Sequence, residues 1–225
     1  MLADASTLGI DGLVCLGDLV GYGADPIRVV DVLARRDPIA VAGNHDQATA
    51  GLLDLDWFNP YARAAAEWTA GKLGDDQSGY LARLPLVGQH AGATLVHASP
   101  RNPAQWPYLI SPADGAAAFS AFDTQLCLVG HSHLPAVWTL REDGSVGFER
   151  GTVSIRLRPH QRYIVNVGSV GQPRDGDPAA AYGLWDAEAE TIQVYRVTYD
   201  VQEARRRIHA AGLPRVLGDR LLHGR

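Results

Sequence analysis

The sequence predicts a single α/β domain, and three observations carry that prediction. Near the N-terminus an apolar run, a glycine-spaced loop, an amphipathic stretch and a second apolar run follow one another, the order of an α/β unit. Four apolar runs, at 13–16, 39–42, 93–96 and 126–129, each stop in a loop carrying a ligand-type residue, so several strand ends converge on one place. Finally, 225 residues with 46% apolar and 20% charged side chains suit one well-buried core, and fit neither disorder nor a coiled coil.

The elements follow in order. Residues 1–8 read as the last turns of a helix with Gly9 as its C-cap, and the first strand comes at 13–16, ending in Gly17-Asp18. Asp25 then stands as an N-cap before Pro26, and Val29, Val30, Val32 and Leu33 form the apolar stripe of a helix reaching Arg35. The strand at 39–42 runs into Gly43-Asn44-His45-Asp46. Helices are predicted at 48–53, at 60–73 with Pro60 in its first turn, and at 80–84. A hairpin joins 86–87 to 93–96, and His97 ends it. The proline-rich stretch 101–112 is an ordered loop beside the site, and an alanine-rich helix at 114–122 leads into the strand at 126–129. Gly130-His131-Ser132-His133 follows that strand directly. Beyond it come a hairpin of 136–141 with 146–148, a strand at 163–167, a hairpin of 182–186 with 191–198, and a closing helix at 201–211.

Composition narrows the function. A formal charge of -5 argues against a basic nucleic-acid surface. Cys15 and Cys127 sit inside apolar runs, as small core residues of a protein in a reducing compartment. The first residues lack the basic and apolar regions of a secretion signal, and no run approaches a membrane span. A cytoplasmic protein with no membrane partner is therefore expected. Oligomeric state is left open.

Gly17-Asp18, Gly43-Asn44-His45-Asp46, His97 and Gly130-His131-Ser132-His133, in this order and at strand ends, resemble the motifs of the calcineurin-like metallophosphoesterases. The likeness continues through Gly168-Ser169-Val170-Gly171-Gln172-Pro173-Arg174 to the C-terminus. It implies a four-layer α/β/β/α sandwich of two mixed sheets. It also implies two divalent metal ions (Mn, Fe, Zn, Co or Ni) bridged by Asp18, with Asn44, His97 and His131 completing one and His133 serving the other. On the same resemblance, a metal-bound hydroxide attacks a phosphomonoester or phosphodiester, and His45 protonates the leaving oxygen. Asp46 either orients His45 through its other ring nitrogen or has a structural role in the turn. The loop from Gly168 and Ser169 either aims N–H groups at a phosphate, with Arg174 adding charge, or is a plain strand-to-turn connection.

One departure from the family pattern matters. Members open with Asp-x-His at the end of a first strand, and this sequence has no histidine before His45. The expectation is thus a single domain over 1–225, N-terminally truncated and lacking that strand. One metal keeps four candidate ligands and the other keeps Asp18 and His133. Either the start is mis-set or the loss is real. The alternative function is a non-catalytic or weakly active scaffold on the same fold. His90, His160, His209 and His223 are assigned to the surface or to loops. Tyr22, Trp57, Phe58, Tyr61 and Trp68 are assigned to packing, and Arg205-Arg206-Arg207 to a solvated helix face.

Overall fold

A computed structural model describes residues 1–151 and 154–225. In chain order its strands are β1 (Val14–Cys15), β2 (Ile39–Ala40), β3 (Val87–His90), β4 (Ala93–Val96), β5 (Leu126–Val129), β6 (Ala136–Leu140), β7 (Val146–Arg150), β8 (Ser154–Arg156), β9 (Arg162–Asn166), β10 (Ala180–Asp186) and β11 (Thr191–Val197). The helices are α1 (Leu2–Ser6), α2 (Pro26–Ala34), α3 (Asn44–Thr49), α4 (Pro60–Ala70), α5 (Asp75–Ala82), α6 (Pro112–Ala118), α7 (Val201–Ala210) and α8 (Arg215–Asp219).

Strand periodicity decides the layering. In β5, Leu126 and Leu128 join one apolar cluster while Cys127 and Val129 join another, because successive side chains point to opposite faces of the sheet. The first cluster lies between a mixed six-stranded sheet, ordered β3-β4-β5-β9-β6-β7, and a second layer that contributes Ala181, Ile192 and Val194. On the far face of the six-stranded sheet, Val96, Cys127, Trp138 and Ile164 pack against Leu109, Ala118, Phe119 and Phe122 around α6. A third cluster sets Val30 of α2 and Leu81 of α5 against Leu19 and Val20. Helix, sheet, sheet, helix is the predicted sandwich.

The second layer comes in two pieces, the antiparallel β10-β11-β8 and the parallel pair β1-β2. β1 pairs only with β2 among the described residues, and Val14, Cys15 and Leu16 are half-buried rather than buried. Helix α1 lies alongside β10, tied by the Tyr182 hydroxyl donating to Asp4 Oδ2 at 2.6 Å. β8 has no counterpart in the sequence reading; three residues are too short to show a period.

Local chemistry explains where the helices begin. Asn59 Oδ1 accepts the N–H groups of Tyr61 and Ala62 at 3.1 Å, and α4 then buries Ala62, Ala65, Ala66 and Thr69 along one face. α5 starts at Asp75, ahead of the predicted 80, because Gln77 Oε1 takes the Gly74 N–H. α6 starts at Pro112, ahead of 114, where Ser111 and Asp114 cap each other. Asp25 occupies the N-cap position of α2 but does not cap it; its carboxylate accepts from Arg207 Nη1 at 3.0 Å instead. Past α7, the sequence reading missed α8 and a 3-10 turn over Arg220–His223. These pack Leu213, Leu217 and Leu221 against Ala65 and Tyr22.

Candidate active site

Asp18, Asn44, His97 and His131 follow the C-terminal ends of β1, β2, β4 and β5, where loops of an α/β sheet gather ligands. The first two loops meet backbone to backbone. A Cβ on Gly43 would lie 2.0 Å from Asp18 Oδ1, so only glycine lets the carboxylate approach. Asp18, His131 and His133 all adopt φ between +52 and +62, a region that non-glycine residues occupy at a cost of roughly 1–3 kcal/mol each. The surrounding hydrogen bonds hold that strain. Asn166, fully buried, donates to the Gly130 carbonyl and to Ser132 Oγ, pinning the turn that carries both histidines.

Asp18 is gripped from two sides. Its Oδ1 accepts the His45 backbone N–H at 2.9 Å, and its Oδ2 lies 3.2 Å from His97 Nε2. The Nδ1–H of His97 donates to the Leu16 carbonyl at 2.7 Å, which turns Nε2 toward Asp18 as the ring atom that would ligate a metal once it has given up its proton. That Nε2 is 3.1 Å from Nδ1 of His131, and donor atoms of Asp18, His97 and His131 all lie within 4.8 Å of one another. Two donors at about 2.1 Å from one ion sit roughly 3.0 to 3.4 Å apart at right or tetrahedral angles, so these separations fit a shared cation. Asn44 Oδ1 and His131 Nε2 are buried without a hydrogen-bond partner among the described residues, a costly state for polar atoms that nothing else satisfies. His133 fixes its own tautomer by donating Nδ1–H to the Gln172 carbonyl at 2.7 Å.

Charge at the site follows from burial and proximity. Burial alone would raise the Asp18 carboxyl, but the imidazoles around it, His97 first, hold it far below the usual carboxylate range. His131 is pushed down to about 3 by burial and then by His97; His133 is pushed down to about 3 by burial and then by Arg174. Both are neutral and fit to ligate a metal at working pH. Burial opposes protonation of His97 too, yet Asp18 outweighs it and raises that imidazole.

His45 is almost wholly buried beside these ligands. It lies 4.4 Å from the Tyr22 ring and 4.9 Å from the edge-on Phe58 ring. Gly21, at φ +135°, makes room for it, since a Cβ there would be 2.5 Å from His45 Nδ1. Burial lowers its pKa. Asp46 does not orient His45. Its Oδ1 accepts from the N–H groups of Leu19 and Val20 and its Oδ2 from that of Gly43, so it fastens the two loops together, and His45 Nδ1 has no partner among the described residues. Of its two expected roles the geometry has the structural one.

Asp18, Asn44, His45, His131, His133 and Arg174 open onto one cavity of about 90 Å³, whose mouth is formed by Tyr22, Trp57, Phe58 and Tyr108. Trp57, expected as packing, is 77% exposed. The Tyr108 ring lies 4.2 Å from that of His131, which the spacing of the proline-rich loop did not disclose. Tyr22 both packs and leans over the site. Gly168 and Ser169, expected as one of two roles to meet a phosphate, are engaged within their own turn. The Gly168 N–H donates to Asn166 Oδ1 at 2.9 Å, Ser169 Oγ accepts from the Gln172 N–H at 3.1 Å, and neither residue lines the cavity. They shape the turn that presents Gln172 and Arg174.

Residues 1–190 match the calcineurin-like phosphoesterase superfamily domain, well over half of the chain. The chain belongs to that superfamily. It is 38% identical over 229 residues to the uncharacterized protein MJ0912 of Methanocaldococcus jannaschii, covering all of this chain and 91% of that protein. Among solved structures, the metallophosphoesterase from Sphaerobacter thermophilus superposes with a TM-score of 0.85 at 39% identity, again over 100% of this chain and 91% of its own. The hypothetical protein PH1004 from Pyrococcus horikoshii OT3 shares the fold, with a TM-score of 0.77 at 23% identity and the same coverage. Superfamily membership implies divalent metal ions, and the Asp18, His97 and His131 donors fit one. No helix among the described residues is long and apolar enough to cross a membrane.

Proposed function

We propose that this phosphoesterase hydrolyses a small phosphomonoester or phosphodiester. Asp18, Asn44, His97 and His131 would hold one divalent cation, and His133 with the Asp18 carboxylate would serve a second. Bound metal would supply Lewis-acid stabilisation of the phosphoryl oxygens and a nucleophile at neutral pH. The chain's own side chains do the rest. His45 is the general acid that hands a proton to the departing oxygen, Arg174 draws the anionic substrate into the cavity, and Trp57, Phe58 and Tyr108 shed water from its mouth.

The observation that carries this reading is the convergence of Asp18, His97 and His131 within 4.8 Å of one another, with Asp18 and His131 facing the cavity that His45 and Arg174 also line. A scaffold has no use for a buried, unpartnered imidazole beside a metal-type cluster. The test is metal stoichiometry together with manganese-dependent hydrolysis of a generic aryl phosphodiester, comparing the native chain with His131→Ala and His45→Ala. Loss of both metal and turnover in the first, and in the second a smaller loss of turnover on this aryl ester with metal retained, is expected. A chain that binds metal fully yet turns over no ester would favour the scaffold.

A further inference from the structure

The loop that carries Arg174 is met by the last turn of the chain. Gly176 N–H donates to the Gly224 carbonyl at 3.0 Å, and Leu217 and Leu221 bury the same C-terminal segment against Ala65 and Tyr22. This brings Arg220, which lies beyond the residues matched to the superfamily, next to Arg174. The two guanidinium carbons lie 5.8 Å (Arg174) and 4.9 Å (Arg220) from the Tyr22 ring centroid, and both side chains donate to the same acceptor, Gln172 Oε1. Neither pairs with a carboxylate among the described residues. Asp175 is taken by Arg196 and Asp219 by Arg205. The Nε atoms of both arginines are buried with no acceptor among the described residues. Two cations converging on one neutral amide oxygen repel each other and retain unspent donors, an arrangement that an anion would complete.

We propose that Arg174, set and reinforced by Arg220 through Gln172 and Tyr22, seats the third non-bridging oxygen of a phosphomonoester dianion, making monoesters rather than diesters the preferred substrates. The proposal rests on the phosphoesterase reading and narrows it. A diester offers two non-bridging oxygens sharing one charge. A monoester offers three sharing nearly two charges at neutral pH, so it alone uses extra donors beside the metal ligands. Arg174 touches the substrate, and Arg220 is a positioning residue.

The test compares an aryl phosphomonoester with the corresponding aryl phosphodiester on the metal-loaded full chain, with Arg220→Gln and Arg220→Lys beside the native protein. For Arg220→Gln, KM for the monoester is expected to rise about tenfold or more with a smaller change in kcat, while kcat/KM for the diester, which carries one charge less, falls by a clearly smaller factor. Arg220→Lys should recover most of the loss, and Arg220→Met replaces the glutamine variant if that one does not fold. Equal losses on the two esters, or none on either, would overturn the proposal. Calorimetry with inorganic phosphate gives a second readout: binding should weaken about tenfold in Arg220→Gln. If the native chain hydrolyses neither ester, the phosphoesterase reading fails, and phosphate affinity still judges the arginine pair, which is refuted by equal affinity in native and variant protein.

Discussion

Asp18 and His97 are locked together, the carboxylate Oδ2 facing Nε2 at 3.2 Å while Leu16 and His45 backbone groups fix the other polar atom of each. Replacing the carboxylate by an amide keeps the volume and the hydrogen bond from the His45 N–H, while it removes the charge and turns the atom facing His97 from an acceptor into a donor. Asp18→Asn should therefore remain folded and lose metal affinity by about 100-fold or more, more than a change in a group that merely supports a ligand. Elemental analysis after dialysis against a weak chelator reads this directly. Full retention of metal would remove Asp18 from the ligand set.

A proton donor matters only when the leaving group needs a proton. His45→Ala should lower kcat by about 10²- to 10⁴-fold for an alkyl phosphate and much less for an ester of an acidic phenol, with metal content unchanged. Rates measured across a series of leaving groups give the slope. An equal loss along the whole series would assign His45 to packing between Tyr22 and Phe58.

The packing of α6 on the sheet leaves no space at Gly115, where a Cβ would lie 2.0 Å from Cδ1 of the wholly buried Trp138. Gly115→Ala gains about 1 kcal/mol of helix propensity. Overpacking a ring that is also held by its Nε1–H bond to the Ser111 carbonyl costs about 1–3 kcal/mol, so a net loss of stability is expected in chemical denaturation. A stabilised variant would contradict the close fit.

Asp114 gives a prediction in pH. Partial burial raises its carboxyl, but the N–H groups of Ile110 and Ser111 and the Ser111 hydroxyl outweigh this and hold it below the usual range. A depressed folded-state pKa means stability that is present above the unfolded value, near 4, and is lost as pH falls through the folded one. Asp114→Asn should therefore cost about 1 kcal/mol at pH 7. The gap between variant and native protein should close on acidification below about pH 4, read as converging denaturation midpoints. A gap independent of pH would mean that the amide loses shape rather than charge.

Much of the molecule was legible because its signals are local. Short apolar runs ending in Asp18, Asn44, His97 and His131 announced both the strands and the place where they meet, and the alternation in Leu126-Cys127-Leu128-Val129 is the two-faced burial of a central strand. What stayed hidden depends on distant partners. Asp46 sits next to His45 in sequence, yet its acceptors are used by Leu19, Val20 and Gly43 on loops that only the fold brings near. Gly168 has the look of a phosphate loop, but Asn166 two residues earlier takes its N–H. Trp57 and Tyr61 follow helical spacing although Trp57 stands in a 3-10 turn at the cavity mouth, and Arg220 carries no motif at all. Its place beside Arg174 comes from Leu213, Leu217 and Leu221, whose four-residue spacing is helical but too short a stretch to say which distant residues it packs against.

The hydrogen bond from Gly176 to Gly224 has a bearing on biosynthesis. The loop that carries Arg174 is tied down by residues some fifty positions later in the chain, so a nascent polypeptide can lay down its sheets on the ribosome but cannot fasten this loop until residues 213–224 have left the exit tunnel.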